Sequence, residues 1–516
     1  MTAATAADSK QKLDAALETG NPRKIAQAAM AHIWPLFDKH YLDLIHAIEK
    51  IPLSLLENYP VLWILHRVNP VLAHKRTPFK PHLNAETVKS MTTDEVDMLT
   101  LAQMIAFRYS GDVTAALAYA ARLADRIRSR GTGFRERADG PLWFYHQQIG
   151  STMLAAGETG PALTELAASA EIGQIAGRPD ARRLALSRVA LAHAKRGSLE
   201  EAERVLAELP QLPEPCAPYS EPTRFAENTA AALIGVERMI EDIDPLLAKL
   251  DSFGSLQVTW PYGLLARTRS LLARKRPDEA LECVHLARDA HTEQHGSLAI
   301  DVMNAATIDA LWALGSKKQA RAAAFRTEQK GFLETSAAIR LAIADDKLDF
   351  AETHLRRLSE QRTLAPAQHT ERIILSAWLS IAKADSIDPT TAQRVAHIVQ
   401  RGNSRRILSQ IPQEVLSSVR CELDDSMHPT FDVSVTGITH VMVQTRPTLT
   451  TSELRVLTAL KRELTTAEIA AQLHVSPNTI KSQLRSVYRK LSCSNRAEAI
   501  QTGLTLQLIS VDDDNR

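Results

Sequence analysis

Cysteine is scarce and scattered. The four thiols of this 516-residue chain, Cys216, Cys283, Cys421 and Cys493, share no paired spacing. That argues against a disulfide framework or a zinc cluster, and for a reducing interior. No apolar run approaches the ~18 residues that a membrane helix needs, so no membrane association is expected. Met1-Thr2-Ala3-Ala4 begins no basic-then-apolar leader, which makes a cytoplasmic location the expectation. A phosphate-cradling Gly-x4-Gly-Lys-Ser/Thr loop is missing as well. The nearest glycine-rich stretch, Gly131-Thr132-Gly133 to Gly140, lacks the lysine and a preceding apolar strand, and reads as a loop between helices. No βα alternation ends in clustered aspartates, and no Ser/His/Asp or paired-carboxylate grouping stands out. Hence no catalytic residue, no cofactor and no enzyme activity are expected. His291 and His295 flank Glu293 at one-face helical spacing, but no third ligand is evident, so no metal is expected. Aromatic residues are only 5% of the chain. Trp143, Phe144, Tyr145, Trp260, Tyr262 and Trp312 are therefore assigned to helix packing ahead of a ligand groove.

What remains is ordinary for a soluble protein: 45% apolar and 23% charged residues, with a net charge of +1. The length suggests about three domains unless repeats extend one of them. Charge is unevenly spread. Residues 446–503 hold nine Lys/Arg against four Asp/Glu, so any nucleic-acid footprint is local to the C-terminal end.

Residues 1–90 form an N-terminal helical segment that begins as a tail or weak helix. Ile25, Ala28, Ala29 and Ile33, then Leu42, Ile45 and Ile48, keep helical spacing. Pro52, Pro60 and Pro70 mark breaks, and residues 70–90 read as a loop. Over 91–423 a repeat emerges: a turn residue, then a small or apolar residue five positions on. The pairs are Gly111/Ala116, Gly157/Ala162, Gly197/Ala202, Gly235/Ile240, Lys275/Ala280, Gly315/Ala320 and Asp346/Ala351. Glycine ends the first helix, and alanine lets the second approach it closely. The pattern resembles tetratricopeptide-like helical repeats with a drifting period, and implies a grooved surface for a ligand or protein partner. An irregular helical bundle with glycine caps is the alternative.

Between 424 and 447, Phe431, Val433, Val435, Ile438, Val441 and Val443 alternate around Thr436-Gly437. This is a small hairpin or an extended linker, and on either reading a domain boundary.

Residues 448–511 read as four helices. The first runs from Thr450 to Arg462; the second, Ala467 to Leu473, has Thr466 as its cap. Ser476 caps the third and Pro477 takes its first position, where a missing N–H costs nothing. Ile480, Leu484, Val487 and Leu491 then make one apolar stripe, which leaves Lys481, Ser482, Arg485 and Arg489 on the other side. Such a helix can enter a major groove about 12 Å wide. The fourth, Asn495–Leu508, carries Ala499, Ile500 and Leu504, and completes the core or pairs with a second copy.

Leu449-Thr450, Glu453, Leu464-Thr465, Glu468-Ile469-Ala470, Val475-Ser476-Pro477-Asn478-Thr479-Ile480-Lys481, Leu484, Val487-Tyr488 and Asn495-Arg496-Ala497-Glu498-Ala499-Ile500 together resemble the LuxR-type helix-turn-helix. The resemblance spans about 60 residues. Glu463, where the family usually has glycine, and Gln483, where histidine is common, depart from it. The resemblance places Lys481, Ser482 and Arg485 towards base edges and Thr479, Gln483, Tyr488 and Arg489 nearer phosphates. It also implies dimer contacts through the last helix, at Ala499, Ile500 and Leu504. The expected fold is thus all-α: an N-terminal tetratricopeptide-like solenoid joined to a C-terminal four-helix helix-turn-helix domain. The expected function is transcriptional regulation, with double-stranded DNA bound by a homodimer and an effector of unknown identity on the repeats. A protein-interaction scaffold with weak or vestigial DNA binding stays open beside it.

Overall fold

The computed structural model of the protein describes residues 6–72, 91–129, 142–215, 219–250, 259–291, 296–325, 331–360, 363–384, 386–438, 440, 449–462, 465–491, 493, 495–505 and 508–509. Among them every regular element is a helix, and none is long and apolar enough to cross a membrane. The chain divides into two compact units, Met1–Val441 and Met442–Arg516.

The larger unit opens with six helices, Ala6–Glu18, Pro22–Ala31, Ile33–Lys39, Tyr41–Glu49, Leu53–Leu56 and Pro60–Leu72. The second starts sharply because Asn21 accepts from the Arg23 N–H at 3.0 Å and Pro22 fills its first position. The break expected at Pro70 does not occur, since Pro60–Leu72 runs through it. The loop reading of 73–90 lies outside the described residues. One hydrophobic core runs from Leu13 through Leu36, Leu44 and Leu62 to Met104, Ile149 and Leu184, so the opening helices and those that follow residue 90 are packed together.

From Thr93 the helices come in pairs. Thr93–Tyr109 with Val113–Ser129, Leu142–Ala155 with Thr159–Ile175, and Pro179–Arg196 with Leu199–Glu208 are the first three. Among the described residues, Ser220–Arg238 is followed only by the single turn Asp244–Leu247 before the next helix. Trp260–Ala273 with Pro277–Ala290, Ser297–Ala313 with Lys317–Ala324, Phe332–Ala344 with Leu348–Glu360, and Pro366–Ala384 with Pro389–Gln400 complete the series. Leading helices also pack on one another: the Pro179 helix on Ser220, Ser220 on Trp260, Trp260 on Ser297, and Ser297 on Phe332.

The turn markers have a shared geometry. Gly111, Gly157, Gly197, Lys275, Gly315 and Asp346 all take left-handed backbone, with φ between 59° and 84°. At five of them the next N–H bonds the carbonyl five residues back, as in Ser198 to His193 at 3.0 Å and Lys347 to Ala342 at 2.8 Å. Their partners Ala116, Ala162, Ala202, Ala280, Ala320 and Ala351 are each 0% exposed. Ala280, for example, packs with Leu272 on the helix before it and Ala310 on the next pair. The Gly235/Ile240 pair departs from this rule. Gly235 lies inside its helix, Met239 takes the left-handed turn at φ 54°, and Ile240 is 41% exposed. Gly235 is there for space: a Cβ would sit 2.6 Å from Ile243 Cδ1.

The array winds back on itself. The Tyr262 hydroxyl donates to the Leu154 carbonyl at 2.7 Å, and the Pro179 helix meets the Pro366 helix. That meeting is tightest at Gly197, where an added Cβ would lie 2.7 Å from the Ala367 Cβ. Gly197→Ala combines this overlap with φ 81°. It is expected to cost on the order of 1–3 kcal/mol, read as a lower urea midpoint at unchanged m-value.

Of the hairpin and the extended linker left open around residue 431, the structure shows neither over 425–435. Asp425–Met427 is a 3-10 turn and His428–Val435 an α-helix. Pro429 favours a helical first turn, Phe431 is buried, and Arg420 holds Asp432 through two hydrogen bonds at 2.7 and 2.9 Å. Val433 is 75% exposed, so the alternation never buried one face of a strand. Val441 and Val443 lie outside the described residues. The aromatic residues do serve packing: Trp143, Phe144 and Tyr145 are buried, with Phe144 5.1 Å from Phe37 and Tyr145 6.0 Å from Trp34, edge to face. His291 stacks on Trp260 at 4.2 Å. His295, Glu293 and the 131–140 loop are outside the described residues, among which no group of His, Cys, Asp and Glu could hold a metal.

Candidate nucleic-acid interface

The smaller unit is built from Thr451–Leu460, Thr466–Gln472, Pro477–Leu491 and Arg496–Thr505. Its first two helices begin with reciprocal capping boxes. The Thr450 hydroxyl accepts from the Glu453 N–H at 3.2 Å, while the Glu453 carboxylate accepts from the Thr450 N–H at 2.7 Å. Thr465 and Glu468 repeat the arrangement at 3.3 and 2.7 Å. The cap of the second helix is therefore Thr465 and not Thr466, because only Thr465 stands three residues before a glutamate. The Thr465 N–H, with the Thr465 hydroxyl beside it, also holds the Glu468 carboxyl below its ordinary range.

His474, at φ 54°, makes the turn into the third helix, and the Val475 N–H closes it on the Ala470 carbonyl at 3.0 Å. Ser476 then caps as expected, its hydroxyl accepting from the Thr479 N–H at 3.1 Å with Pro477 in first place. The stripe is buried throughout: Ile480 and Val487 are 0% exposed, and Leu484 and Leu491 nearly so. They pack with Val456, Leu457, Ile469 and Ala499. Glu453 adds a second tie, since Ser486 donates to its carboxylate at 2.7 Å. One glutamate thus caps the first helix and braces the third. The sequence pattern marked its capping role; nothing in it marked the brace, which spans 33 residues.

On the other side of the third helix, Thr479, Lys481, Ser482 and Arg485 are exposed, and Gln483 and Tyr488 half-buried. Tyr488 rests partly on the core. The Arg489 side chain lies outside the described residues. No acidic residue occurs between 477 and 491, so nothing on this helix neutralises Lys481 and Arg485. At ~1.5 Å per residue the helix is about 22 Å long, enough for its first half to sit in a groove about 12 Å wide while the rest stays in the core. Ala499 is fully buried within its own unit, so at that position the last helix completes the core. Ile500 and Leu504 are half-buried against the same cluster.

Residues 447–502 match the family described as GerE, bacterial regulatory proteins, luxR family. The C-terminal unit carries a luxR-family DNA-binding domain. Over 65 residues the chain is also 37% identical to the transcriptional regulatory protein YdfI of Bacillus subtilis (strain 168), a stretch that covers 13% of this chain and 30% of that protein. The chain thus spans less than a third of the length of this curated relative. No solved structure matches the chain. The luxR-family domain explains the layout of the third helix: its stripe fixes the angle at which the cap and the residues from Thr479 to Arg485 are presented.

Proposed function

We propose that the protein is a sequence-specific transcriptional regulator whose Pro477–Leu491 helix reads operator DNA. The observation that carries this reading is the exposed, uncompensated Lys481–Arg485 face on a helix whose opposite stripe is buried in a luxR-family domain. Lys481, Ser482 and Arg485 face base edges; Arg and Lys suit guanine O6 and N7. Thr479, Gln483, Tyr488 and Arg489 serve phosphates, to which hydroxyls and amides donate. Two copies bind two half-sites, with Ile500 and Leu504 as the contact between them. The N-terminal unit, a tetratricopeptide-like array, senses a small-molecule or protein effector. The regulator acts where the genome is, in the cytoplasm.

Selection from random duplexes with the full chain tests this. An enriched sequence is expected, with half-sites about 10 base pairs or a multiple apart, and binding that weakens steeply as salt rises. Recovery of no enriched sequence would remove the operator-reading role and favour a protein-interaction scaffold.

A further inference from the structure

Within the N-terminal unit the winding of the array leaves a solvent-open cavity of about 550 Å³, inside the ~300–1,000 Å³ range of small-molecule sites. Seven helices line it: those beginning at Pro179, Ser220, Trp260, Phe332, Pro366, Pro389 and Arg405. Its side chains are unbalanced in charge. Lys195, Arg269, Arg372, Arg394, Arg401 and Arg406 face Glu237 and Glu371 alone, so the lining carries four more cations than anions.

Both carboxylates are already engaged. Glu237 Oε1 accepts from Arg269 at 2.6 Å and from Arg406 at 2.7 Å. Glu371 Oε1 accepts from Arg340 at 2.5 Å. Nearby Asp301 caps the Phe332 helix through the Leu333 and Glu334 N–H groups at 3.1 and 2.8 Å, and Asp309 accepts from Arg340 at 2.7 Å. Lys195, Arg394 and Arg401 have no carboxylate within ion-pair distance among the described residues. Lys195 is half-buried in the wall, while Arg394 and Arg401 are exposed and meet the cavity from its solvent side. A cation partly withdrawn from water without a direct ion-pair partner is costly, and a surplus of such cations is how a site shaped for an anion differs from a structural ion-pair network. Between them, Phe332, Leu333, Ile373 and Ile407 supply apolar wall.

We propose that this cavity binds a small organic anion, whose carboxylate or phosphate meets Lys195, with Arg394 and Arg401 at the entrance and the apolar wall against its carbon body. The proposal rests on the sensing role given to the N-terminal unit and names the chemistry that is sensed. Titration behaviour agrees. Burial pushes the Lys195 ammonium down to about 8, and Arg269 adds to the fall, while Asp301, Glu237 and Glu371 oppose it. A bound anion favours the protonated form, so its affinity should fall roughly tenfold per unit as pH rises above that value.

The test is thermal unfolding of the full chain at constant ionic strength, titrated with hexanoate, citrate, inorganic phosphate, glycerol 3-phosphate and adenosine monophosphate. Hexanamide and glycerol serve as uncharged counterparts. At least one anion is expected to raise the midpoint saturably, and the identity of that anion separates a carboxylate from a phosphate ligand. The effect should fade between pH 8 and pH 9.5 and vanish in Lys195→Met and Arg401→Ala. Lys195→Met removes a half-buried charge that has no ion-pair partner among the described residues and keeps most of the side-chain length, so the variant should fold. Failure of every anion to stabilise beyond sodium chloride, equal stabilisation by the uncharged counterparts, or an undiminished effect in Lys195→Met would each overturn the proposal. DNA binding is measured in parallel. Its loss with anion binding intact would sink the regulator reading and leave the cavity's ligand class standing.

Discussion

Glu237→Ala is expected to destabilise the N-terminal unit by about 3–5 kcal/mol, the range for removing one member of a buried ion-pair group. The physical reason is what stays behind. Arg406 is 4% exposed and the Arg269 side chain 14%, and both donate to the same Glu237 oxygen. Without it, two neighbouring guanidinium groups are left on the wall of a cavity that is already cationic. Burial and the neighbouring Arg406 have brought Arg269 down to about 10 even with the glutamate in place. Glu237→Gln should recover only part of the loss, because an amide oxygen accepts hydrogen bonds without supplying charge. A Glu237→Leu, Arg269→Met, Arg406→Leu triple variant should recover most of it, since replacing all the charges leaves none unpaired.

The pH dependence of this cost has a fixed sign. Burial alone would raise the Glu237 carboxyl, yet Arg406 and Arg269 together hold it below the ordinary glutamate value. A carboxyl depressed in the folded state stabilises above its unfolded value of about 4.3, and that stability is lost as pH falls through the folded value. The difference between wild type and Glu237→Gln should therefore be full at pH 7 and shrink below about pH 4. Urea unfolding across that range checks it. A cost under 1 kcal/mol at pH 7 for the alanine variant would mean that the two arginines find other partners.

These interactions explain what the chain did and did not disclose. Local rules were legible because they act within one turn or one helix pair. Six turn-and-alanine markers correspond to left-handed turns and fully buried methyl groups, and Ser476-Pro477 marks the start of the third helix of the luxR-family domain. Where a local signal has two physical readings, the sequence alone does not decide between them. Gly235 was a turn by residue type, but it clears space for Ile243. The alternating valines after Phe431 suited a strand until Pro429 and the Arg420–Asp432 pair favoured a helix. Ala499 suited either the core or a dimer surface, and its side chain is fully buried within its own unit. The cavity had no local signal at all. Its lining is gathered from positions 194 to 407, and the Arg406–Glu237 bond joins residues 169 apart. Charges dispersed in that way look like an ordinary solvated surface until the array closes.

At the other end of the chain, Lys481→Ala and Arg485→Ala should each weaken binding to the selected operator by about 1–3 kcal/mol, roughly 5- to 150-fold. The loss should be concentrated at one base position. A side chain bidentate to guanine O6 and N7 discriminates at the pair it touches, whereas one that meets a phosphate weakens all sequences alike and lowers the salt slope by about one. The two behaviours separate the assignments: Lys481 and Arg485 should relax preference, and Thr479→Ala should lower affinity for every duplex. Folding is a poor alternative explanation for a loss. Both basic side chains are exposed and make no hydrogen bond or ion pair within the domain among the described residues, whereas the helix is held by Ile480, Leu484, Val487 and the Ser486–Glu453 bond. Melting of the variants should stay within about 0.5 kcal/mol of wild type, as for other surface changes. If both variants kept the same preferred sequence and the same affinity, the Lys481–Arg485 face would not be what reads DNA, and the reader would have to be sought elsewhere on the domain.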